Sequence, residues 1–217
     1  MNIFVESASL DDIRRDFQAG FADGVVLPEA SYAGSASAEG KELIAAIAQE
    51  FAIPICVDVA AVSGEDMYRD ARELAKITDH IIVQLPLIED AIPTMHRLSQ
   101  EGVEVCANFV FTAAQAVLAA KAGATTVRII LNELDEHGRP SADIVNEIRT
   151  ILESSQCECD VMAASPANTT QFTECINAGA QIVSIRPEVL HTLLLHPLTD
   201  RGIDRFLNNL ARRPKAH

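Results

Sequence analysis

Eight times along this chain a short run rich in valine and isoleucine gives way to an amphipathic segment with apolar residues at three- and four-residue spacing. Runs that are apolar almost throughout suit parallel strands buried on both faces. The spacing predicts strands at Ile3–Glu6, Gly24–Leu27, Ile53–Asp58, His80–Gln84, Val103–Asn108, Thr126–Leu131, Cys159–Ala164 and Gln181–Arg186. Between and after them it predicts helices at Leu10–Gln18, Lys41–Phe51, Asp66–Ile77, Ile92–Gln100, Ala113–Ala122, Ala142–Glu153, Thr170–Asn177 and Pro187–Leu194. Ser9-x-x-Asp12, Ser63-x-x-Asp66 and Thr112-x-x-Gln115 read as helix starts of the capping-box kind. Gly20, Gly102, Gly123 and Gly179 follow helical runs, where a left-handed terminus is needed. Eight such units close a (β/α)8 TIM barrel of the α/β class. The rival is a doubly wound open sheet. It expects a glycine-rich phosphate loop after the first strand, and Glu6-Ser7-Ala8 stands there instead.

A further helix is predicted near Thr199–Arg212, with Ile203, Phe206, Leu207 and Leu210 on one stripe. That stripe needs cover from the barrel or from a neighbouring subunit. No internal linker interrupts residues 1–217, so the expectation is one domain, with 198–217 as a C-terminal helix and tail. A net charge of −14 disfavours nucleic acid and anionic membrane as partners. No apolar run approaches the ~20 residues of a membrane span. The first residues, Met-Asn-Ile-Phe-Val-Glu, lack a basic and apolar leader, so a cytoplasmic protein is expected. Five scattered cysteines suit reduced thiols. Cys157-x-Cys159 is read as a pair of strand residues, because one such pair makes a poor metal signature. Neither a metal site nor a cofactor is expected. Asp135-Glu136-His137 reads as a solvated loop.

In a barrel of this kind the strand C-termini carry function. Taken in order, several segments there and on the adjoining helices resemble one family. They are Asp79–Pro86, Ala119-Ala120-Lys121-Ala122-Gly123-Ala124, Val161-Met162-Ala163-Ala164-Ser165 and His196-Pro197-Leu198-Thr199-Asp200. Together they are similar to the short transaldolase and fructose-6-phosphate aldolase family over essentially the whole chain. The resemblance implies cleavage or formation of a sugar carbon–carbon bond through a lysine Schiff base. It also implies a carboxylate on strand 1, a water held by strands 3 and 5, a phosphate held near strands 6 and 7, and a homo-oligomer, pentameric or decameric.

Against that pattern, the strand-4 lysine position falls on Gln84, and a primary amide forms no Schiff base. The strand-1 aspartate falls on Glu6, the strand-3 acid or amide on Asp58, and Asn108 agrees with one branch of the family. Arg128 falls on a small residue, and the arginine expected near the end of strand 6 becomes Glu133. After Ser165 the basic residues give way to Pro166-Ala167-Asn168. Strand 2 continues as Leu27-Pro28-Glu29-Ala30-Ser31 in place of Thr-Asn-Pro-Ser. The chain has four lysines, and Lys41, Lys76 and Lys121 fall on outer helices while Lys215 lies in the tail.

The candidate catalytic residues are therefore Glu6, Asp58, Gln84 and Asn108, and the candidate ligand-binding residues are Arg128, Ser165 and Arg186. Each has two readings. Gln84 is a substrate-binding amide or a satisfied polar filler. Glu6 and Asp58 are an acid–base pair or are salt-bridged. Arg128 and Arg186 bind a carboxylate or phosphate or only neutralise acids. Ser165 cradles an anion, and no histidine has the spacing to make it or Cys106 a nucleophile. The expected function is an aldolase-like barrel without Schiff-base activity that binds a sugar, hydroxyketone or organic acid. The alternative is a lyase or isomerase using carboxylate acid–base chemistry on small carbonyl compounds.

Overall fold

The computed structural model describes residues 1–28 and 37–211. Eight parallel strands close into a barrel in the order β1-β2-β3-β4-β5-β6-β7-β8. They are β1 (Asn2–Glu6), β2 (Gly24–Leu27), β3 (Ile55–Asp58), β4 (Ile81–Pro86), β5 (Glu104–Asn108), β6 (Thr126–Ile130), β7 (Asp160–Ala164) and β8 (Ile182–Ile185). The ring shuts where β1 pairs with β8, Asn2 to Ile182 through Val5 to Ile185. The helices are α1 (Leu10–Gln18), α2 (Ala38–Glu50), α3 (Gly64–Ala75), α4 (Ala91–Gln100), α5 (Ala113–Lys121), α6 (Leu131–Glu136), α7 (Ser141–Ser154), α8 (Thr169–Asn177), α9 (Pro187–Thr192) and α10 (Pro197–Ala211).

Local chemistry explains the boundaries. Ser9, Ser63 and Thr112 accept from the backbone N–H three residues on, at 3.3, 3.4 and 3.2 Å, which satisfies an otherwise orphaned helix donor. Gly20, Gly102, Gly123 and Gly179 all have positive φ after their helices. Strand β3 begins at Ile55 rather than Ile53, because Pro54 has no N–H to give to a ladder. Helix α6 starts one residue after β6 and was not expected. It takes up Asp135 and Glu136, so the expected solvated loop is corrected. The Asp135 carboxylate accepts from Ser141 N at 2.8 Å, Ser141 Oγ at 3.1 Å and Gln171 Nε2 at 2.6 Å. Cys157 and Cys159 lie just before β7, not in it, which corrects the strand assignment.

Strand alternation sorts the core into two regions. Val25, Val57, Val83, Val105, Val127, Val161 and Val183 face outward and pack under the helices in the main core. Phe4, Val26, Cys56, Ile82, Cys106, Met162 and Ile182 form a separate cluster inside the barrel. The interior is thus a packed layer rather than a channel. Its fit is tight at Gly24, where an added Cβ would lie 2.5 Å from the Phe4 ring. Two residues further along each strand, the same inward alternation places Glu6, Asp58, Gln84, Asn108, Arg128 and Ser184 above that layer.

Helix α10 differs from the others, with every residue exposed and Leu198, Ile203, Phe206, Leu207 and Leu210 between 41% and 61% accessible. The end of the expected helix at Arg212, the tail lysine Lys215 and the segment after Pro28 lie outside the described residues. Among the described residues no helix is long and apolar enough to cross a membrane. None of them form a group of three or more histidine, cysteine or acidic side chains suited to a metal.

Candidate active site at the barrel mouth

The polar layer lies at the C-terminal ends of the strands, the face on which barrels of this kind do chemistry. Its centre is Glu6 at the end of β1. The carboxylate accepts from Ser165 Oγ (2.7 Å to Oε2, 2.9 Å to Oε1), Ser184 Oγ (2.7 Å) and the Arg128 guanidinium (3.2 Å). The Glu6 and Arg128 side chains are only 6% and 12% exposed. Charges withdrawn this far from water need partners, and the carboxylate has a cation and two hydroxyls. Ser184, buried on β8, was not foreseen. Its signal was a serine at an inward position in the otherwise apolar run Ile182-Val183-Ser184-Ile185.

Arg128 spans the mouth. One terminal nitrogen reaches Glu6, and the other donates to Asn108 Oδ1 at 3.3 Å. Asn108 Nδ2 then donates to Asp58 Oδ1 at 3.2 Å. Glu6, Ser165, Ser184, Arg128, Asn108 and Asp58 thus form one connected network drawn from six strand ends. Of the two readings for Glu6, the ion pair is the one with geometry. Asp58 is half-buried and accepts from the Asn108 amide.

Two residues of this rim hold left-handed backbone, unusual outside glycine. Ser165 has φ 56° and Phe109 has φ 61°. Ser165 is pinned on both sides of its peptide unit. Its N–H donates to Ser184 O at 2.8 Å, and its carbonyl accepts from Asn132 Nδ2 at 3.4 Å. Asn132 is in turn held by Gln171 Nε2 at 3.3 Å. This conformation aims the Ser165 hydroxyl at Glu6. Phe109 is fixed by its own N–H, which donates to Asn108 Oδ1 at 2.9 Å, and its ring is half exposed above the mouth.

Gln84 is set apart. It pairs in register with Asp58 on one side and Cys106 on the other, and it is wholly buried. Yet neither Oε1 nor Nε2 has a hydrogen-bond partner among the described residues, and Arg128 Nε lacks one too. Buried polar atoms in native proteins are nearly always partnered, so this amide costs folding free energy. Beneath it, burial raises the Cys56 and Cys106 thiols well above the ordinary cysteine range, so neither is a thiolate at neutral pH.

Arg186, one residue beyond β8, does not join the network. It is exposed, and among the described residues it has no ion-pair partner. It lines a cavity of about 470 Å3 with Glu6, Ser7, Ser9, Pro28 and Glu188, between the ends of β1 and β8. Glu133 is exposed on α6 and takes no described ion pair. The described lysines lie outside the barrel: Lys41 on α2, Lys76 at the end of α3 and Lys121 at the end of α5.

Comparison with known proteins agrees with this architecture. The family model for transaldolase/fructose-6-phosphate aldolase matches residues 14–215. A probable transaldolase of Thermodesulfovibrio yellowstonii is 35% identical across 99% of this chain and 100% of its own length. One from Petrotoga mobilis is 35% identical across 96% of this chain and 94% of its own. A third, from Bartonella tribocorum, is 34% identical across 96% of both. With eight parallel strands closed into a barrel and likeness over its full length, this chain belongs to the transaldolase/fructose-6-phosphate aldolase family.

Proposed function

We propose that this chain has no Schiff-base aldolase activity and that its barrel mouth binds a small sugar, hydroxyketone or organic acid in a binding or redirected role. One observation carries the reading. At the inward position of β4 where the family resemblance puts the iminium-forming lysine stands Gln84, a buried amide whose polar atoms have no partner among the described residues. An amide nitrogen has no basic lone pair to attack a carbonyl. No described lysine lies near enough in the fold to substitute, since all three are on the outer helices. The site keeps two carboxylates, two amides and an arginine instead, a set suited to hydrogen-bonding a polar ligand. Incubation with dihydroxyacetone or fructose 6-phosphate followed by borohydride reduction should leave the intact mass unchanged. A mass increase mapped to any lysine would refute the proposal.

A second reading keeps proton transfer, as a lyase or isomerase on small carbonyl compounds. Its support is Asp58, half-buried at the end of β3 and joined to the network through Asn108. A broad screen in which no hydroxyketone or keto acid is turned over removes this reading.

We also propose that the exposed apolar stripe of α10 docks on a second copy of the chain. The support is that the stripe carries five large apolar residues and buries none of them within its own barrel. The five free cysteines suit a reducing cytoplasm.

A further inference from the structure

The cavity between β1 and β8 opens beside the mouth, and Glu6 is the one member of the central network that lines it. Its walls are supplied by the turn after β1, by Pro28 and by the start of α9. Three of the residues that line it carry donors. Arg186 offers a guanidinium with no described partner. Ser7, only 8% exposed, uses its oxygen to accept from Ser9 N at 3.0 Å. Ser9 likewise uses its oxygen to accept from Asp12 N at 3.3 Å. Each hydroxyl has therefore spent a lone pair on backbone and keeps its hydrogen as a donor, and neither hydrogen has an acceptor among the described residues. Glu188 at the rim supplies an acceptor.

We propose that this cavity is an anion subsite and that the ligand is a small hydroxy-carboxylic acid, with its carboxylate on Arg186, Ser7 and Ser9 and a hydroxyl on Glu188. The proposal rests on the reading that the mouth binds a small molecule. The geometry calls for an acceptor-rich group, because the inner wall presents donors. The charge selects a monoanion. Glu6 is already balanced by Arg128, so Arg186 and Glu188 cancel, and a carboxylate leaves the pocket at −1 where a phosphate dianion would leave it at −2. A fork of guanidinium donors matches two carboxylate oxygens. The cavity has room for a compact molecule of a few carbons, whose far end then approaches the Glu6–Arg128 pair.

Calorimetric titration of the full chain with glycerate and gluconate, each against its neutral counterpart glycerol or glucitol, tests this. The expected result is binding of at least one acid and of neither polyol. Arg186→Gln should weaken that acid at least tenfold, since loss of a charge-assisted contact is worth ~1.5–3 kcal/mol and every 1.4 kcal/mol is tenfold. Ser7→Ala should weaken it several-fold. Glu188→Gln should narrow the preference for the acid over its phosphorylated analogue. Arg186 is exposed, so its variant tests binding rather than folding. Equal binding of acid and polyol, unchanged affinity in Arg186→Gln, or no binding of either acid would overturn the subsite. A borohydride adduct on a lysine would instead overturn the non-Schiff-base reading and leave the subsite standing, so the two failures are told apart.

Discussion

Replacing Gln84 with methionine, which has nearly the same length and no strong hydrogen-bonding group, should stabilise the protein. Both amide atoms are buried and without a partner among the described residues. Each polar group buried unpaired costs ~1–3 kcal/mol, so the amide as a whole costs roughly 2–6 kcal/mol by that scale. Methionine removes that penalty and adds a thioether among Cys56, Ile82 and Cys106, the apolar layer just below. Imperfect packing of the new side chain returns part of the gain, up to ~1.5 kcal/mol for a volume-conserving swap. The net expectation is about 2 kcal/mol of added stability, or a rise in Tm of roughly 4–8 °C for a chain of this size. Urea denaturation followed by circular dichroism gives the free energy, and scanning calorimetry gives Tm. A variant no more stable than the parent, or less stable, would mean that the amide is already satisfied inside the barrel. Gln84 would then be the satisfied polar filler of the two readings, not a substrate-binding amide.

Four other outcomes follow from the described residues. Glu6→Gln leaves the largely buried Arg128 charge without its counter-ion. A loss of about 2–4 kcal/mol in urea midpoint analysis is expected, somewhat below the cost of a fully sealed pair because Arg128 keeps some solvent contact; a loss under ~0.5 kcal/mol would contradict the assigned pairing. Among the thiols, half-buried Cys157 should react first with iodoacetamide, while Cys56, Cys106, Cys159 and Cys175 stay protected until unfolding. Burial pushes Cys159 up to about 12 and Cys175 up to about 11 in the folded chain. Stability is then fully present below the unfolded thiol range and falls as pH rises through 9 toward those values, by up to ~1.4 kcal/mol per pH unit for each such thiol. Cys159→Ala should flatten that alkaline slope, and an unchanged slope in urea titrations would exclude the thiol as its cause. Removing residues after Pro197 should lower the mass measured by light scattering if α10 joins copies, and an identical mass would remove that role.

Much of the fold was legible because each element carried two agreeing signals. The β4 segment is apolar on both faces, and the start of α5 has Thr112 and Gln115 at capping distance. Helix α6 escaped notice because six residues leave no room for a helical period, and its acids mimic a loop. The set Glu6, Asp58, Gln84, Asn108 and Arg128 could be named by laying the family resemblance on the strand period. What the period does not encode is which member bonds to which. That Arg128 turns to Glu6 and Asn108 while Arg186 stays outside depends on how far each strand rises around the barrel. Ser184 and Asn132 were missed for the same reason, since their role exists only through partners far away in sequence.

That long reach bears on how the protein is made. The hydroxyl and guanidinium partners of Glu6 lie 122, 159 and 178 residues further along the chain. The far edge of β1 is covered only by β8. During synthesis the first strand therefore emerges with an edge that stays open until β8, near the end of the sequence, has been made, and with a carboxylate whose cation follows 122 residues later. An open strand edge invites pairing with other chains, and contacts of such separation form slowly. Charged side chains are one means by which open edges avoid such pairing, and Glu6 puts a charge at the end of β1.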